Sequence, residues 1–269
     1  SLAMDRGYTV VTTGNKLADE GERITFGAGA VREFALIAGK QLTVVDRQIG
    51  DKGEVKITSY GFGGDGDTQR QVLKAGADSV EVYEELFGRY PYRELDIVRV
   101  DLGAGIGGVE FPGMVTIASM LYMDELKGTI PEVAAVLDSR FMRESIDFVV
   151  AHEVAHQWWN AVVGSHSRKH PFVDEALANY STILYFDKKH GKPAMNRQIL
   201  FQLKLTYQLH RLLGGEDRVV DSPTSAFTNM LEYSAIVYGK GALFFHELRR
   251  TLGDRAFLKA LSGYYGNNS

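Results

Sequence analysis

The sequence contains no cysteine, and that one absence removes several kinds of chemistry together. Disulfides, thiolate metal sites, iron–sulfur clusters and cysteine nucleophiles are all excluded. A transition metal, if one is bound, must draw its ligands from His, Asp and Glu. An excess of positive charge is lacking too: 30 Lys and Arg stand against 34 Asp and Glu, a formal net charge of −4. Without a basic surplus, nothing drives the chain toward nucleic acid or an anionic membrane. No run approaches the ~18 apolar residues of a membrane span. Ser1-Leu2-Ala3-Met4-Asp5 offers neither a basic n-region nor an apolar h-region, so no signal peptide is visible. A chain that begins with Ser and reaches Met at position 4 reads as an excised piece, and none of these features assigns a compartment or an oligomeric state. No Gly-x-Ser-x-Gly elbow occurs, which excludes a serine hydrolase of that type.

What is present is core material. Hydrophobic residues make up 45% of the 269 positions, with 14 Phe and 13 Tyr, which excludes disorder and suits one or two domains. Residues 1–66 read as short strands, at 8–13, 23–26, 33–37, 41–45 and 54–59, separated by Gly, Asp, Asn and Lys clusters. Gly61-Phe62-Gly63-Gly64-Asp65-Gly66-Asp67 breaks this pattern and marks the expected domain boundary. A helix is expected over 68–87, a strand over 95–100 and an interrupted strand over 109–118. From residue 139 the spacing predicts helices over 139–163, 174–190, 193–213 and 239–263. Strands followed by helices indicate an α+β fold. Gly103-x-Gly105-x-x-Gly108 resembles a dinucleotide fingerprint, but Glu110-Phe111-Pro112-Gly113 continues as extended chain where that fingerprint needs a helix.

The informative stretch is Ala151-His152-Glu153-Val154-Ala155-His156-Gln157-Trp158-Trp159. With 3.6 residues per turn, His152 and His156 share a helix face, so two imidazoles can reach one ion. Glu153 lies about 100° around the helix, beside that site, where it can take a proton from water activated by a metal. With 7 His and 17 Glu in the chain, chance gives this pattern in about one such sequence per hundred. The plain alternative is a helix with two ordinary histidines. Catalytic zinc keeps three protein ligands, and Glu175, separated from His156 by eighteen residues and at the start of another helix, supplies a candidate third. Its plain alternative is a first-turn carboxylate facing the helix dipole.

His-Glu-x-x-His followed after eighteen residues by Glu is the pattern of the gluzincin zinc peptidases. Gln157-Trp158 and Asp174-Glu175-Ala176-Leu177-Ala178 resemble, within that group, the membrane alanyl aminopeptidase family. Gly107-Gly108-Val109-Glu110-Phe111 stands where the family has Gly-Ala-Met-Glu-Asn, and Tyr238-Gly239-Lys240-Gly241 where it has a Tyr-x-Lys-Gly element. The resemblance covers about 68–265. It implies a thermolysin-like catalytic domain over 67–269, preceded in 1–66 by the end of a β-domain. It also implies one Zn2+ per chain, held by His152, His156 and Glu175, with Glu153 as general base. By the same resemblance Tyr238 stabilises the oxyanion, Glu110 binds the free α-amine of a peptide substrate, and Gly107 and Gly108 let that substrate pair with the backbone. Phe111 and Val109 depart from the family, which has Asn and Met there. The function implied is an aminopeptidase acting on peptides. The alternatives are an endopeptidase of the same fold and a catalytically weak zinc-binding scaffold fragment.

Overall fold

The computed structural model describes residues 2–3, 7–21, 23–51, 53–103, 105–123 and 139–268. Ser1, Met4 and Asp5, on which the reading of the N-terminus rests, lie outside the described residues. The chain forms two compact units. One comprises Ser1–Glu81 and Pro91–Gln157, the other Val82–Tyr90 and Trp158–Ser269.

The first unit holds the strands. They are β1 (Leu2–Ala3), β2 (Tyr8–Thr12), β3 (Asn15–Asp19), β4 (Arg23–Gly27), β5 (Leu36–Lys40), β6 (Thr43–Ile49) and β7 (Val55–Gly61), then β8 (Glu94–Val100), β9 (Gly108–Phe111) and β10 (Met114–Ala118). Among the described residues they form three sheets, ordered β1-β4-β3, β2-β5 and β6-β7-β8-β10-β9. In the five-stranded sheet β7, β8 and β10 run parallel, while β6 and β9 are antiparallel edge strands. Strands from both sides of the Gly61–Asp67 break share this sheet, so the break is a tight turn inside the unit. Asp65 holds that turn, accepting from the Phe62 N–H at 2.6 Å and from the Arg99 guanidinium at 2.6 and 2.8 Å.

From the turn runs α1 (Gly66–Phe87), which crosses between the parallel strands β7 and β8, as parallel pairing requires. Gly76 lets α1 press on the sheet, since a Cβ there would meet Ile97 Cδ1 at 2.3 Å. Beside it lies α2 (Arg140–Ala155), tied to α1 where Gln71 Nε2 donates to the Arg143 carbonyl and the Asp147 carboxylate, both at 2.8 Å. On the other face, Val98 and Met114 pack with Val11 and Ile37 of the β2–β5 pair, with Tyr60, Val100 and Phe111 around them. Alternate strand residues thus point to opposite layers.

The second unit is helical: α3 (Leu177–Gln198), α4 (Leu205–Leu212), α5 (Met230–Tyr233), α6 (Gly241–Leu252) and α7 (Asp254–Gly266). Three π-helical segments, Phe172–Ala176, Ile199–Lys204 and Ser234–Lys240, run directly into or out of these helices. Trp158 and Trp159 anchor its core, fully buried against Tyr83, Phe87, Tyr90 and Tyr265. Their indole N–H groups are satisfied by the Gly88 carbonyl at 2.9 Å and the Ser181 hydroxyl at 2.8 Å. The expected continuous helix over 239–263 is broken at Gly253, whose φ of 78° ends α6 in the left-handed region. The chain is therefore mixed α/β, with the strands in the first unit and a mostly helical second one.

Candidate active site

Ser139 starts α2, its hydroxyl accepting from the Met142 N–H at 3.3 Å. The last two turns are buried throughout, from Val150 to Ala155. His152 and His156 end the helix one above the other, with their Nε2 atoms 3.2 Å apart and their rings nearly perpendicular at 86°. His152, Glu153 and His156 are at most 7% exposed. A buried carboxylate and two imidazoles at a helix C-terminus, where the dipole is negative, form a setting that favours a cation.

The edge strand β9 lies against this helix end. At Gly108 an added Cβ would stand 2.6 Å from Glu153 Cγ and 2.7 Å from its Cδ and Oε1, so the glycine is what admits the glutamate. At Gly107 the nearest atoms are the two Val149 methyls, at 3.3 Å. Glu110 shares the Gly108 side of the strand, and carboxylate oxygens of Glu110 and Glu153 with a ring nitrogen of His156 all lie within 4.8 Å of one another. Two carboxylates and an imidazole this close could hold a cation. Phe111 points the other way, into the layer of Val11 and Met114. Its departure from the family pattern therefore changes packing on the far face of the sheet.

Beyond His156, Gln157 is fully buried and spends both ends of its amide on the turn joining β9 to β10. Its Nε2 donates to the Phe111 carbonyl at 2.9 Å, and its Oε1 accepts from the Gly113 N–H at 2.8 Å. The Thr116 hydroxyl bonds both the carbonyl and the N–H of Val109, at 3.0 and 3.1 Å, pinning the same strand from β10.

In the second unit Glu175 and Tyr238 each sit in a π-helical segment, both partly buried. Such segments arise where tertiary contacts insert a residue into a helix, and they concentrate at functional sites. Asp174 fixes the first, accepting from the Glu175 N–H at 2.8 Å and from the Ser165 hydroxyl at 3.3 Å. Asn179, one turn beyond Glu175, donates to the Tyr238 carbonyl at 2.9 Å and so joins the two segments. Close approach is possible because residue 241 is glycine: a Cβ there would meet Ala176 Cβ at 2.8 Å. Tyr233 packs edge-on against Tyr238, with ring centroids 5.6 Å apart. Just upstream, the Thr228 N–H and hydroxyl and the Arg218 guanidinium bind the Glu232 carboxylate and hold its pKa down at about 2. Asn229 accepts from the Glu232 N–H at 2.9 Å, so the lead-in to the Tyr238 segment is capped twice.

The sequence singles out His152, Glu153, His156, Glu110, Glu175 and Tyr238 as candidates, and does not show the contacts made by Gln157, Thr116 and Asp174. Only the position of Gln157 next to the second His offered a signal. Three of the other five histidines have hydrogen-bond partners away from this site: His170 bonds Asp221 at 3.1 Å, His210 the Glu216 carbonyl at 2.9 Å, and His246 the Tyr180 hydroxyl at 3.4 Å. Gly108 opens a strand, which disposes of the dinucleotide fingerprint.

Comparison with known proteins gives the chain a family. The profile of the peptidase family M1 domain matches residues 72–269. An aminopeptidase N of Lactococcus lactis subsp. lactis is 31% identical over 193 residues, 69% of this chain and 21% of that protein. Aminopeptidase M1 of Arabidopsis thaliana is 26% identical over 219 residues, 80% of this chain and 23% of the relative. Endoplasmic reticulum aminopeptidase 2 of Homo sapiens is 22% identical over 215 residues, 78% and 21% of the two chains. The chain thus spans between a fifth and a quarter of the length of these curated relatives.

Proposed function

The chain belongs to peptidase family M1, and on that premise we propose that it carries the catalytic centre of a zinc-dependent aminopeptidase, which removes the N-terminal residue of a peptide. The observation that carries this reading is the grouping of Glu110, Glu153 and His156 beside His152. It sets a carboxylate suited to an ammonium next to a base and a pair of imidazoles. In this proposal residues 67–269 are a thermolysin-like catalytic domain and 1–66 the end of a preceding β-domain, the two sharing the five-stranded sheet.

His152, His156 and Glu175 would hold one zinc ion. Two imidazoles and a carboxylate are a catalytic zinc donor set, leaving one position open. The 3.2 Å between the two Nε2 atoms supports it, because nitrogens about 2.0–2.1 Å from one tetrahedral ion stand about 3.4 Å apart. When bound, zinc supplies Lewis acidity that lowers the pKa of water to about 7 and polarises a carbonyl. Glu153 accepts the proton of the attacking water and passes it to the departing amine nitrogen as the C–N bond breaks. The Tyr238 hydroxyl donates to the carbonyl oxygen as negative charge gathers there. Glu110 binds the α-ammonium, which sets the first peptide bond over the reacting groups. An extended substrate pairs with the backbone of the edge strand β9 from Gly108 on and of Gly107 just before it.

Metal analysis and hydrolysis of aminoacyl p-nitroanilides test the proposal. The expected result is one zinc per chain, activity abolished by chelator, and Glu153→Gln inactive with its metal retained. Protein that binds no zinc and gains no thermal protection from it would refute the ligand set. Equal cleavage of free and N-acetylated peptides, unaffected by Glu110→Ala, would make the enzyme an endopeptidase.

A further inference from the structure

The β9–β10 turn is Phe111-Pro112-Gly113-Met114, with Gly113 at φ 71°. Proline fixes φ near −65° at the first central position, so this is a type II turn. Such turns splay the strands of a two-residue hairpin, because their twist opposes that of the strands. An unsupported hairpin of this kind would not hold β9 at a fixed angle. Here the support comes from outside the hairpin: the Gln157 amide bridges Phe111 and Gly113, donating to one and accepting from the other. On its far side Gly113 is fixed as well, its carbonyl accepting from the Asp96 N–H of β8 at 3.0 Å.

Gln157 follows His156 directly, and Phe111 follows Glu110 directly. The two hydrogen bonds therefore close a short loop from the imidazole pair, through Gln157 and the Phe111 carbonyl, to the Glu110 carboxylate. Phe111 keeps its ring in the opposite layer, so the Glu110 side of the strand cannot roll without unpacking that ring. We infer that Gln157 is a positioning residue that sets the distance between Glu110 and the His152–His156 pair. In this way it sets the register of the substrate ammonium relative to the bond that is cut. The inference rests on the aminopeptidase reading, and its test separates the two.

The experiment is a double-mutant cycle on kcat/KM for alanyl and leucyl p-nitroanilides, with zinc content and thermal midpoint measured on every variant. Gln157→Met keeps the shape and removes both hydrogen bonds. Its kcat/KM should fall 10- to 100-fold, mostly through KM, with zinc retained. Placed on Glu110→Ala, the same change should cost less than threefold, because the carboxylate it positions is gone. A general loosening of the fold would instead lower both backgrounds by the same factor. Gln157→Glu, which still accepts from Gly113 but cannot donate to Phe111 when ionised, should give an intermediate loss and serves if Gln157→Met does not fold. Full additivity with Glu110→Ala, or an unchanged kcat/KM, overturns the inference. So does failure of both variants to fold, which would make the bridge purely structural. A wild-type chain that binds zinc but cleaves none of these substrates overturns the aminopeptidase reading instead.

Discussion

Replacing Gly108 with alanine tests the catalytic assignment through a single methyl group. The added Cβ would stand 2.6 Å from Glu153 Cγ and 2.7 Å from Cδ and Oε1, where non-bonded carbons ordinarily meet at about 3.5–4.0 Å. Relief requires about 1 Å of movement, by the Glu153 side chain or by β9. Gly108 is not at positive φ, so alanine strains no backbone angle there. A misplacement of about 1 Å in a reacting group costs on the order of 10²-fold, or about 2.7 kcal/mol of barrier. That lies within the 10²–10⁴-fold typical of a general base. Steady-state kinetics on alanyl p-nitroanilide should show kcat about a hundredfold lower with KM changed little, if the glutamate yields. A strand that yields instead shifts Glu110 and raises KM. Zinc content and thermal midpoint should stay near wild type, and Gly107→Ala, which meets only the Val149 methyls at 3.3 Å, should lose less than fivefold. Gly108→Ala with kcat and KM both within threefold of wild type, alongside an inactive Glu153→Gln, would show that Glu153 does not act from the position described.

Three further outcomes follow from other parts of the chain. Tyr238→Phe keeps the ring contact with Tyr233 and removes the hydroxyl, so kcat should drop about 10²–10³-fold with zinc retained; unchanged kcat would take the oxyanion role away. Gly76→Ala gains about 1 kcal/mol of helix propensity but drives a methyl to 2.3 Å from buried Ile97, an overpacking cost of about 1–3 kcal/mol. Urea denaturation should show net destabilisation, and a more stable variant would refute the tight packing of α1 on β8. Asp96 is raised to about 7, chiefly by burial and then by the charge of Glu94, with Lys56 and hydrogen bonds from Tyr60 and Thr58 opposing. Its folded pKa exceeds the unfolded value of 3.8, so its stability contribution is present below about pH 4 and lost as pH rises through 7. Asp96→Asn should therefore raise the thermal midpoint at pH 8 and leave it nearly unchanged at pH 4, whereas a pH-independent difference would remove titration as the cause.

What the sequence made legible, and what it hid, divides along physical lines. The helix at 68–87, the strand at 95–100 and the amphipathic stretch holding His152 and His156 announce themselves through local periodicity. The strand Asn15–Asp19 does not, because Asn-Lys-Leu-Ala-Asp carries no β-branched residue and all five positions are exposed. The helix expected to run on to 163 stops at Ala155, and the buried turn beyond it belongs to the aromatic core built on Trp158 and Trp159. The π-helical segments were invisible for a related reason. No local propensity selects an i→i+5 turn; packing such as that of Gly241 on Ala176 does, and packing is not written at any fixed spacing. The break at Gly61–Asp67 reads as an end of packing from composition, yet the strands before and after it pair in one sheet.

The residues proposed to bear the chemistry occupy awkward places: the last turn of α2, an edge strand and two π-helical segments. None of these is rigid by its own hydrogen bonding. Each is instead fixed by groups from elsewhere in its own unit. In the first unit the Gln157 amide and the Thr116 hydroxyl hold β9, and the bare backbone of Gly108 leaves one space for Glu153. In the second unit Asp174, Asn179 and Gly241 bind the Glu175 segment to the Tyr238 segment. The supporting side chains are buried and hydrogen-bonded, Gln157, Thr116 and Asp174 twice, and the glycines have no space for a side chain. Substitutions at Gln157, Asn179, Gly108 and Gly241 should therefore lower turnover by larger factors than their distance from the reacting atoms suggests, because each leaves a catalytic group present but out of place.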